Sequence, residues 1–351
     1  MNNINSIGYE ISFQNSLNQL ISFIDNSSYT KFFILTDEIT TVHCLPALEV
    51  RLVGRTYDLI EVSAGEECKN LDFCIGVWKM LIDFNADRKS LLINLGGGVV
   101  TDMGGFIAST YKRGIDFVNV PTTLLSQVDA SVGGKTGVDL DSIKNIIGTF
   151  TQPKAVFIAH EYLSTLPERQ ILSGLAEMLK HGLIKDQAYW NDLKNSDLSL
   201  PSAELVYRSV EIKNEVVIAD PHEKGIRKAL NFGHTVGHAV ETFSLDNDKR
   251  SLTHGEAIAI GMVCESWLSC KKSGLSQNEL DEIVGVLMRL YPKYNLQLER
   301  ADEIITLMRK DKKNEGNKIN CTLLVSIGNC LIDQICSEDE LRESLEFYAG
   351  L

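Results

Sequence analysis

Three absences narrow the range of proteins that this sequence can encode. The eight cysteines include no C-x-x-C pair and no framework spacing, so we expect buried thiols in a reducing compartment and no structural zinc knuckle. The net charge of −13 argues against a protein that follows nucleic-acid phosphates. No apolar run is long enough to cross a bilayer, and the segment "MNNINSIGYEISF" has neither the basic nor the apolar region of a secretory signal. We therefore predict a cytoplasmic protein whose partners include neither nucleic acid nor membrane.

The 351 residues exceed the usual size of one domain, and the pattern of the sequence changes near residue 162. Before it, β-branched and aromatic runs alternate with helix-length segments, which predicts a parallel sheet with helices on its faces. The candidate strands are 31–37, 57–62, 90–98, 116–121 and 154–159. After it, segments of period 3.6 predict helices at 167–184, 203–219, 234–243, 254–273, 277–291 and 301–310, followed by a hairpin with its turn at Gly328 and Asn329. We predict an α/β domain over residues 1–161 and a mostly helical domain over 162–351.

A glycine-rich turn lies in the first domain. In "LLINLGGGVVTDMGGF" an apolar strand runs into three glycines and then a helix, so backbone N–H groups at the helix start could bind a pyrophosphate. The dinucleotide fingerprint fits at Gly96 and Gly98 but not at Thr101. A tight turn without a ligand explains the glycines equally well, and Asp102 could simply favour the helix start. Thr36 and Asp37 end a strand where ligands of open α/β sheets bind, although a plain turn is the alternative.

Histidines are concentrated in "NFGHTVGHAVE" and in the "THGEAIAIGM" that follows it. His234 and His238 are four apart and would share one helix face, while His254 and Glu177 could complete a metal site. Two histidines and one carboxylate with open positions are typical of a catalytic ion. Spacing alone does not choose among these residues, because His181 lies four residues from Glu177 and packing is a common role for paired histidines. H-E-x-x-H is absent, which argues against a zincin protease.

Single basic residues lie in apolar or glycine-rich surroundings along both domains. In an acidic chain this pattern suggests cations held for a ligand with carboxylate and phosphate groups, although each one alone could be solvated. These positions are Arg113, Lys135, Lys144 beside Asn145, Lys180, Lys213, and Arg227 near Asn231. The charged run "RKDKKNEGNK" at 309–318 has an exposed loop as its simpler explanation.

Six ordered segments together resemble the 3-dehydroquinate synthase family, the NAD- and metal-dependent cyclases of the shikimate pathway within the sugar phosphate cyclase superfamily. The segments are "GGGVVTDMGGFIASTYKRG", "VPTTLLSQVDASVGGKTGVD", "KNIIGTF", "LPERQILSGLAEMLKHG", "GIRKALNFGHTVGHAVE" and "THGEAIAIGM". The matching positions extend from about residue 36 to residue 315. Any one segment alone would be far less specific.

The resemblance implies a Rossmann-like NAD domain, a helical domain and an active site in the cleft between them. It implies that Glu177, His234 and His254 bind one zinc or cobalt ion and that His238 serves the substrate and proton transfer. It places NAD at Asp37, Glu66, Lys69, Gly97, Gly98, Asp102, Thr122, Thr123, Lys144 and Thr165. It places the substrate at Arg113, Asp129, Lys135, Asn145, Lys180, Lys213, Arg227, Asn231, His238 and Lys312, with Lys313 as the competitor of Lys312. Because the family's counterpart of Arg113 reaches the neighbouring subunit, a homodimer is also implied.

The activity implied by the resemblance is the conversion of 3-deoxy-D-arabino-heptulosonate 7-phosphate to 3-dehydroquinate and phosphate. Transient oxidation of the C5 hydroxyl by NAD acidifies the neighbouring C–H and permits elimination of phosphate. Reduction, ring opening and an intramolecular aldol closure then restore NAD. The alternatives are a metal-dependent polyol dehydrogenase, another sugar phosphate cyclase and a non-catalytic relative. Anion-binding cations argue against the first, and the presence of both Asn231 and His238 argues against the second.

Overall fold

The computed structural model describes residues 1–140, 143–309 and 318–351. This chain forms two compact units, each built from two segments. The first unit comprises Met1–Pro167 and Ser202–Asn214, and the second comprises Glu168–Pro201 and Glu215–Leu351. Within the first unit, the Phe13 ring packs edge-on against Tyr207, and Asn214 donates to the Asn5 carbonyl oxygen over 2.8 Å. The boundary between residues 161 and 162 stays a prediction.

A seven-stranded sheet with flanking helices forms most of the first unit, so the predicted α/β class is confirmed. The strands of this unit are β1 (Ile4–Asn5), β2 (Glu10–Ser12), β3 (Lys31–Asp37), β4 (Asp58–Val62), β5 (Ser90–Gly96), β6 (Asp116–Pro121), β7 (Lys135–Leu140), β8 (Ile143–Phe150) and β9 (Ala155–Phe157). Its helices are α1 (Ser16–Asp25), α2 (Glu38–His43), α3 (Leu45–Glu49), α4 (Leu71–Asp83) and α5 (Gly98–Thr110). The strand order is β1-β2-β9-β6-β5-β3-β4, with every neighbouring pair parallel except β1 and β2.

Alternating side chains of the central strands fill two cores, one on each face of the sheet. On β3, Phe33 and Leu35 enter one apolar cluster, and Ile34 enters the other. Because both faces are covered, β5 is buried along its whole length, which explains its continuous apolar run. The five predicted strands form at or within the predicted bounds. The short strands β1 and β2 and the antiparallel hairpin of β7 and β8 were not predicted.

Helices dominate the rest of the chain, as predicted. They are α6 (Glu168–Lys185), α7 (Gln187–Asn195), α8 (Ala203–Ala219), α9 (His234–Asn247), α10 (His254–Lys272), α11 (Gln277–Leu290), α12 (Ala301–Arg309) and α13 (Glu338–Gly350). The late hairpin pairs β10 (Ile319–Ser326) with β11 (Asn329–Cys336). Its turn consists of Ile327 and Gly328, and Asn329 already belongs to β11, one residue away from the prediction. Helix α7 was not predicted.

None of the helices in the described part of the chain is both long and apolar enough to span a membrane.

Candidate active site

Three helices of the second unit bring the predicted metal ligands together. Glu177 lies within α6, while His234 and His254 are the first residues of α9 and α10. The Nε2 atoms of His234 and His254 lie 3.6 and 3.7 Å from the same oxygen, Oε1 of Glu177. Glu177 is fully buried, and one ligand atom from each residue falls within 4.8 Å of the others. Two imidazoles and one carboxylate are a donor set that suits zinc and leaves coordination positions open.

Glycines explain how the backbones of these helices approach so closely. A Cβ atom at Gly255 would lie 2.2 Å from the Ser173 carbonyl oxygen, where α10 meets α6. A Cβ atom at Gly261 would lie 1.8 Å from the Gly233 carbonyl oxygen, where α10 meets α9. Only glycine permits such contacts, so these two positions set the spacing of the three helices that carry the candidate ligands.

Polar contacts fix the first turn of α10, which contains His254. Thr253 and Glu256 form a capping box, and Arg169 of α6 donates to both oxygens of Glu256 over 2.8 and 2.6 Å. Arg169 also donates to the Ser251 carbonyl oxygen over 2.6 Å. This two-bond ion pair holds the start of α10 against α6, because the planar guanidinium matches the carboxylate geometry.

Helix α9 is capped by a residue from its neighbour. Its own N-cap, Gly233, has no side chain, and the buried carboxylate of Glu265 in α10 accepts backbone N–H bonds from Gly233, Thr235 and Val236 over 2.7, 3.0 and 3.2 Å. A carboxylate is favoured at this end by the helix dipole and by the otherwise unsatisfied N–H groups. Sequence reasoning missed Glu265, although an acidic residue inside the apolar run of α10 was a signal.

Charge is concentrated around Glu177. Lys180, one turn further along α6, is buried and donates to Glu177 Oε2. Burial alone would lower the pKa of His254, but the carboxylates of Glu241 and Glu177 outweigh it and raise the pKa to about 9. The ligand group therefore combines a buried carboxylate, a buried ammonium group and an imidazole that its neighbours make strongly basic.

His238 lies beside the three candidate ligands. Its ring centroid is 5.0 Å from that of His234 and 5.9 Å from that of His254. Together with Glu241 and His254 it forms a second group of potential ligand atoms within 4.8 Å. The structure thus brings all three histidines together, with two alternative ligand groups that share His254.

The segment before α9 contains two more of the predicted substrate contacts, Arg227 and Asn231, and hydrogen bonds hold both side chains. Asp220 accepts the backbone N–H bonds of Gly225 over 2.6 Å and Arg227 over 3.2 Å, and the buried Arg227 donates to the Pro221 carbonyl oxygen over 2.7 Å. Asn231 donates its side-chain amide to Glu223 Oε1 over 3.1 Å.

Sequence reasoning missed Glu223. Its backbone is left-handed, with φ 56°, which costs energy for a residue other than glycine and is often found at functional sites. The sequence offers no motif that singles it out.

In the first unit, the glycine-rich turn leads from β5 into α5 as predicted. Gly97 is the N-cap of α5, and no side chain caps this helix start. The Thr122 N–H donates to the Gly96 carbonyl oxygen over 2.9 Å, and a Cβ atom at Gly97 would lie 3.0 Å from Thr123 Cγ2. Four predicted nucleotide contacts, Gly97, Gly98, Thr122 and Thr123, therefore lie at one place.

A second group of predicted nucleotide contacts forms an ion network. Lys69 Nζ lies 2.7 Å from Asp102 Oδ2 and 4.0 Å from Glu66 Oε1, and Lys144 Nζ lies 3.9 Å from the same Glu66 oxygen. Burial lowers the pKa of Lys69, but Asp102 and Glu66 outweigh it and hold the pKa above its usual value. Asp102 is the fifth residue of α5, not a residue of its first turn, so its role as a helix-start residue is wrong and its partner is Lys69.

Asp37 and Thr165 have local partners. The Asp37 carboxylate caps α2 by accepting from the N–H groups of Ile39 and Thr40 over 3.0 and 2.9 Å. The Thr165 hydroxyl donates to the Tyr162 carbonyl oxygen over 3.4 Å. For Asp37 the simpler explanation, a turn and helix start, describes its contacts within the chain.

The predicted substrate residues of the first unit lie at several places. Lys213 Nζ lies 2.5 Å from Asp129 Oδ1, and Asp129 belongs to a π-helical turn, Ser126–Ala130. Lys135 begins β7, and Asn145 of β8 has a left-handed backbone with φ 51°. Arg113 is exposed in a turn with φ 69°. Lys312 and its competitor Lys313 lie outside the described residues.

Two family models match consecutive parts of the chain. Residues 59–173 match the model described as 3-dehydroquinate synthase N-terminal, and residues 174–314 match the model described as 3-dehydroquinate synthase C-terminal. A 3-dehydroquinate synthase of Parabacteroides distasonis is 42% identical over 334 residues, which is 94% of each chain. The resemblance proposed from the sequence is therefore confirmed over most of its length.

Solved structures of sugar phosphate cyclases share the fold. A 2-epi-5-epi-valiolone synthase from Streptomyces hygroscopicus with NAD+ and Zn2+ bound superposes with a TM-score of 0.85 at 25% identity and covers 100% of this chain and 99% of its own. A 2-deoxy-scyllo-inosose synthase complexed with carbaglucose-6-phosphate, NAD+ and Co2+ superposes with a TM-score of 0.84 at 22% identity, with 98% and 99% coverage. The second likeness concerns the fold alone.

Proposed function

This chain belongs to the 3-dehydroquinate synthase family and is therefore an enzyme that forms 3-dehydroquinate; we propose that it does so as a phosphate-eliminating lyase that uses NAD and one divalent ion. Its substrate is 3-deoxy-D-arabino-heptulosonate 7-phosphate, and its second product is inorganic phosphate. One observation carries the proposal. Ligand atoms of Glu177, His234 and His254 lie within 4.8 Å of one another in a buried, highly charged environment.

Glu177, His234 and His254 would hold the ion. The set contains one anionic oxygen and two imidazole nitrogens, which fits zinc or cobalt better than magnesium or calcium. A divalent ion held there would supply Lewis acidity for the oxidation of a substrate hydroxyl. Lys180 balances the charge of Glu177 at its other oxygen, so that the buried carboxylate is paired whether or not the ion is bound.

NAD would bind at the turn between β5 and α5. The free N–H groups of Gly97 and Gly98 at the helix start suit a pyrophosphate, and the absence of side chains permits close approach. NAD+ bound there would supply reversible hydride transfer, with no net reduction of the substrate. The contact of 2.7 Å between Lys69 and Asp102 holds both side chains in place, so that they would present a rigid polar surface to the nucleotide.

The remaining polar residues would bind and orient the acidic substrate. Arg227 and Lys213 are buried cations whose geometry is fixed by the Pro221 carbonyl oxygen and by Asp129 respectively. Fixed cations bind carboxylate and phosphate at little entropic cost and hold the reacting carbons in position. His238 would hold or move a proton at the substrate, because its ring adjoins the ligand histidines.

The decisive experiment mixes purified protein, NAD+, zinc or cobalt and the heptulosonate phosphate. We expect release of inorganic phosphate and formation of 3-dehydroquinate with no accumulation of NADH, and we expect a chelator to stop both. Accumulating NADH would indicate a polyol dehydrogenase instead. Turnover of a different sugar phosphate, with none of this substrate, would indicate another cyclase.

We further propose that the enzyme is a cytoplasmic homodimer in which Arg113 serves the partner's site. In support, Arg113 is exposed, and both it and Lys112 have left-handed backbones, a strained conformation that is often found at functional sites. Mixing inactive Arg113→Ala and His238→Ala subunits should restore about a quarter of wild-type activity, since half of the dimers are mixed and each of these has one intact site. If Arg113 serves its own subunit, mixing restores nothing.

A further inference from the structure

Both ligand histidines use their two ring nitrogens in the same way. In His234, Nε2 faces Glu177 Oε1, and Nδ1 lies 3.1 Å from the Phe232 carbonyl oxygen. In His254, Nε2 faces the same Glu177 oxygen, and Nδ1 lies 3.4 Å from Glu241 Oε2. Carbonyl and carboxylate oxygens only accept hydrogen bonds, so each Nδ1 is the donor in its contact. In a neutral ring that carries its proton on Nδ1, Nε2 is the nitrogen that can bind an ion.

The position and burial of Glu241 favour a stable contact with His254. It lies on α9 seven residues after His234, two helical turns along the same face. Only 4% of its surface is exposed, and an ionised carboxylate at such a position requires a charged or hydrogen-bonding partner. Its contact also joins α9 to the first residue of α10, so the two ligand-bearing helices are linked through it.

The same side chain could in principle be a ligand itself, because His238, Glu241 and His254 form the second group with atoms within 4.8 Å. In that group, however, the His254 atom nearest to Glu241 is Nδ1, whereas Nε2 is directed at Glu177. The Nε2 atoms of His234 and His254 both lie near Glu177. On the opposite side of each ring, Nδ1 contacts the Phe232 carbonyl oxygen or the Glu241 carboxylate. This arrangement favours the group with Glu177 as the one that binds the ion.

We propose that Glu241 is a positioning residue: it accepts the Nδ1–H of His254, fixes the tautomer of that ring and aims Nε2 at the metal site. The inference rests on the proposed metal site. It adds to that site a carboxylate that contacts neither the ion nor the substrate. Carboxylates that hold a ligand histidine in this way typically contribute 10- to 100-fold, roughly, to metal affinity.

The test measures zinc affinity of the full-length protein by competition with a chromogenic chelator. Glu241→Ala should weaken zinc binding by about 10- to 100-fold, and Glu241→Gln, which keeps an acceptor oxygen without the charge, should weaken it less. Asp246→Asn, an exposed carboxylate-to-amide change on the same helix, is the matched control and should leave zinc affinity unchanged. The Kd for NAD should stay the same in all three variants.

Two further readouts separate positioning from a general loss of structure. At saturating zinc, the kcat of Glu241→Gln should return toward the wild-type value, because this variant impairs only the orientation of the His254 ring. In the zinc-loaded wild type, the Nδ1 proton of His254 should give a downfield, slowly exchanging NMR signal that Glu241→Ala lacks. The d–d absorption of the cobalt-loaded protein should change in the same variant.

The outcomes are distinct for the two proposals. If the wild type binds no zinc or cobalt, the proposed function fails. If the wild type binds zinc and the Glu241 variants bind it equally tightly, the positioning role is overturned while the function stands. If Glu241→Ala abolishes binding that Glu177→Ala retains, Glu241 is a ligand and the inference is also wrong. Should Glu241→Ala not fold, Glu241→Gln decides, since equal affinity there overturns the role.

Discussion

At the scale of single residues, three neighbouring histidines have different roles in the proposed function. His234 and His254 direct Nε2 at Glu177, whereas His238 lies beside them. We expect His254→Ala and His234→Ala to lose the ion, because two ligands cannot hold zinc tightly, and His238→Ala to keep it while losing turnover. Zinc content after dialysis, measured by elemental analysis, checks this. Loss of zinc from His238→Ala would move that residue into the ligand set.

The residue types of this site were predictable, but their roles were not. A period of four placed His238 on the face of His234 and His181 on the face of Glu177, and spacing treats such pairs alike. Choosing among them requires knowing which ring nitrogen points where, which depends on packing between residues far apart in sequence. Asp102 illustrates the same limit, because its partner Lys69 lies 33 residues away.

At the scale of helices, backbone contact through glycine holds the ligand-bearing elements together. Gly261→Ala would place a Cβ atom 1.8 Å from the Gly233 carbonyl oxygen, so α9 and α10 must separate. We expect a loss of about 3 kcal/mol in the free energy of unfolding and weaker zinc binding. Urea unfolding followed by circular dichroism, with zinc titration, measures both.

The matched control is Gly285→Ala in α11, where the new Cβ atom meets nothing within 4 Å. Alanine is the better helix former, so this variant should gain about 0.5 to 1 kcal/mol. If Gly261→Ala is as stable as Gly285→Ala, then close approach of α9 and α10 does not depend on glycine.

Elements with strong periodicity were predictable, and those that depend on distant pairing were not. Helix α8 begins and ends where the period-3.6 pattern does, and β3 matches the apolar run at 31–37. The hairpin of β7 and β8 was missed because Gly137 and Gly148 face each other across it and weaken its strand pattern. Strands β1 and β2 are only two and three residues long; β2 forms by pairing with the distant β9, and β1 pairs with β2.

At the scale of the whole molecule, the carboxylates of an acidic chain decide how stability depends on pH. Burial alone would raise the pKa values of Glu279, Glu282 and Glu340, but hydrogen bonds outweigh it and lower them, and a neighbouring lysine contributes at Glu282 and at Glu340. Each group then has a lower pKa in the folded protein than in the unfolded chain. Its stabilisation is complete above the unfolded pKa of about 4.3 and is lost as the pH falls through the folded value. Stability should therefore decline as the pH falls below about 4.3.

Glu282 offers the sharpest check, because it accepts from the buried Trp190 over 2.6 Å and from Lys194 over 2.8 Å. Glu282→Gln should lower the free energy of unfolding by about 1 kcal/mol or less at pH 7, given the partial exposure of the pair. As the pH falls and wild-type Glu282 binds its proton, the two proteins should converge in urea midpoint. The control is Glu346→Gln, at an exposed carboxylate. Its urea midpoint should equal that of the wild type both at pH 7 and at low pH. A difference in urea midpoint between Glu282→Gln and the wild type that persists unchanged well below the unfolded pKa of about 4.3 would contradict the role of its charge.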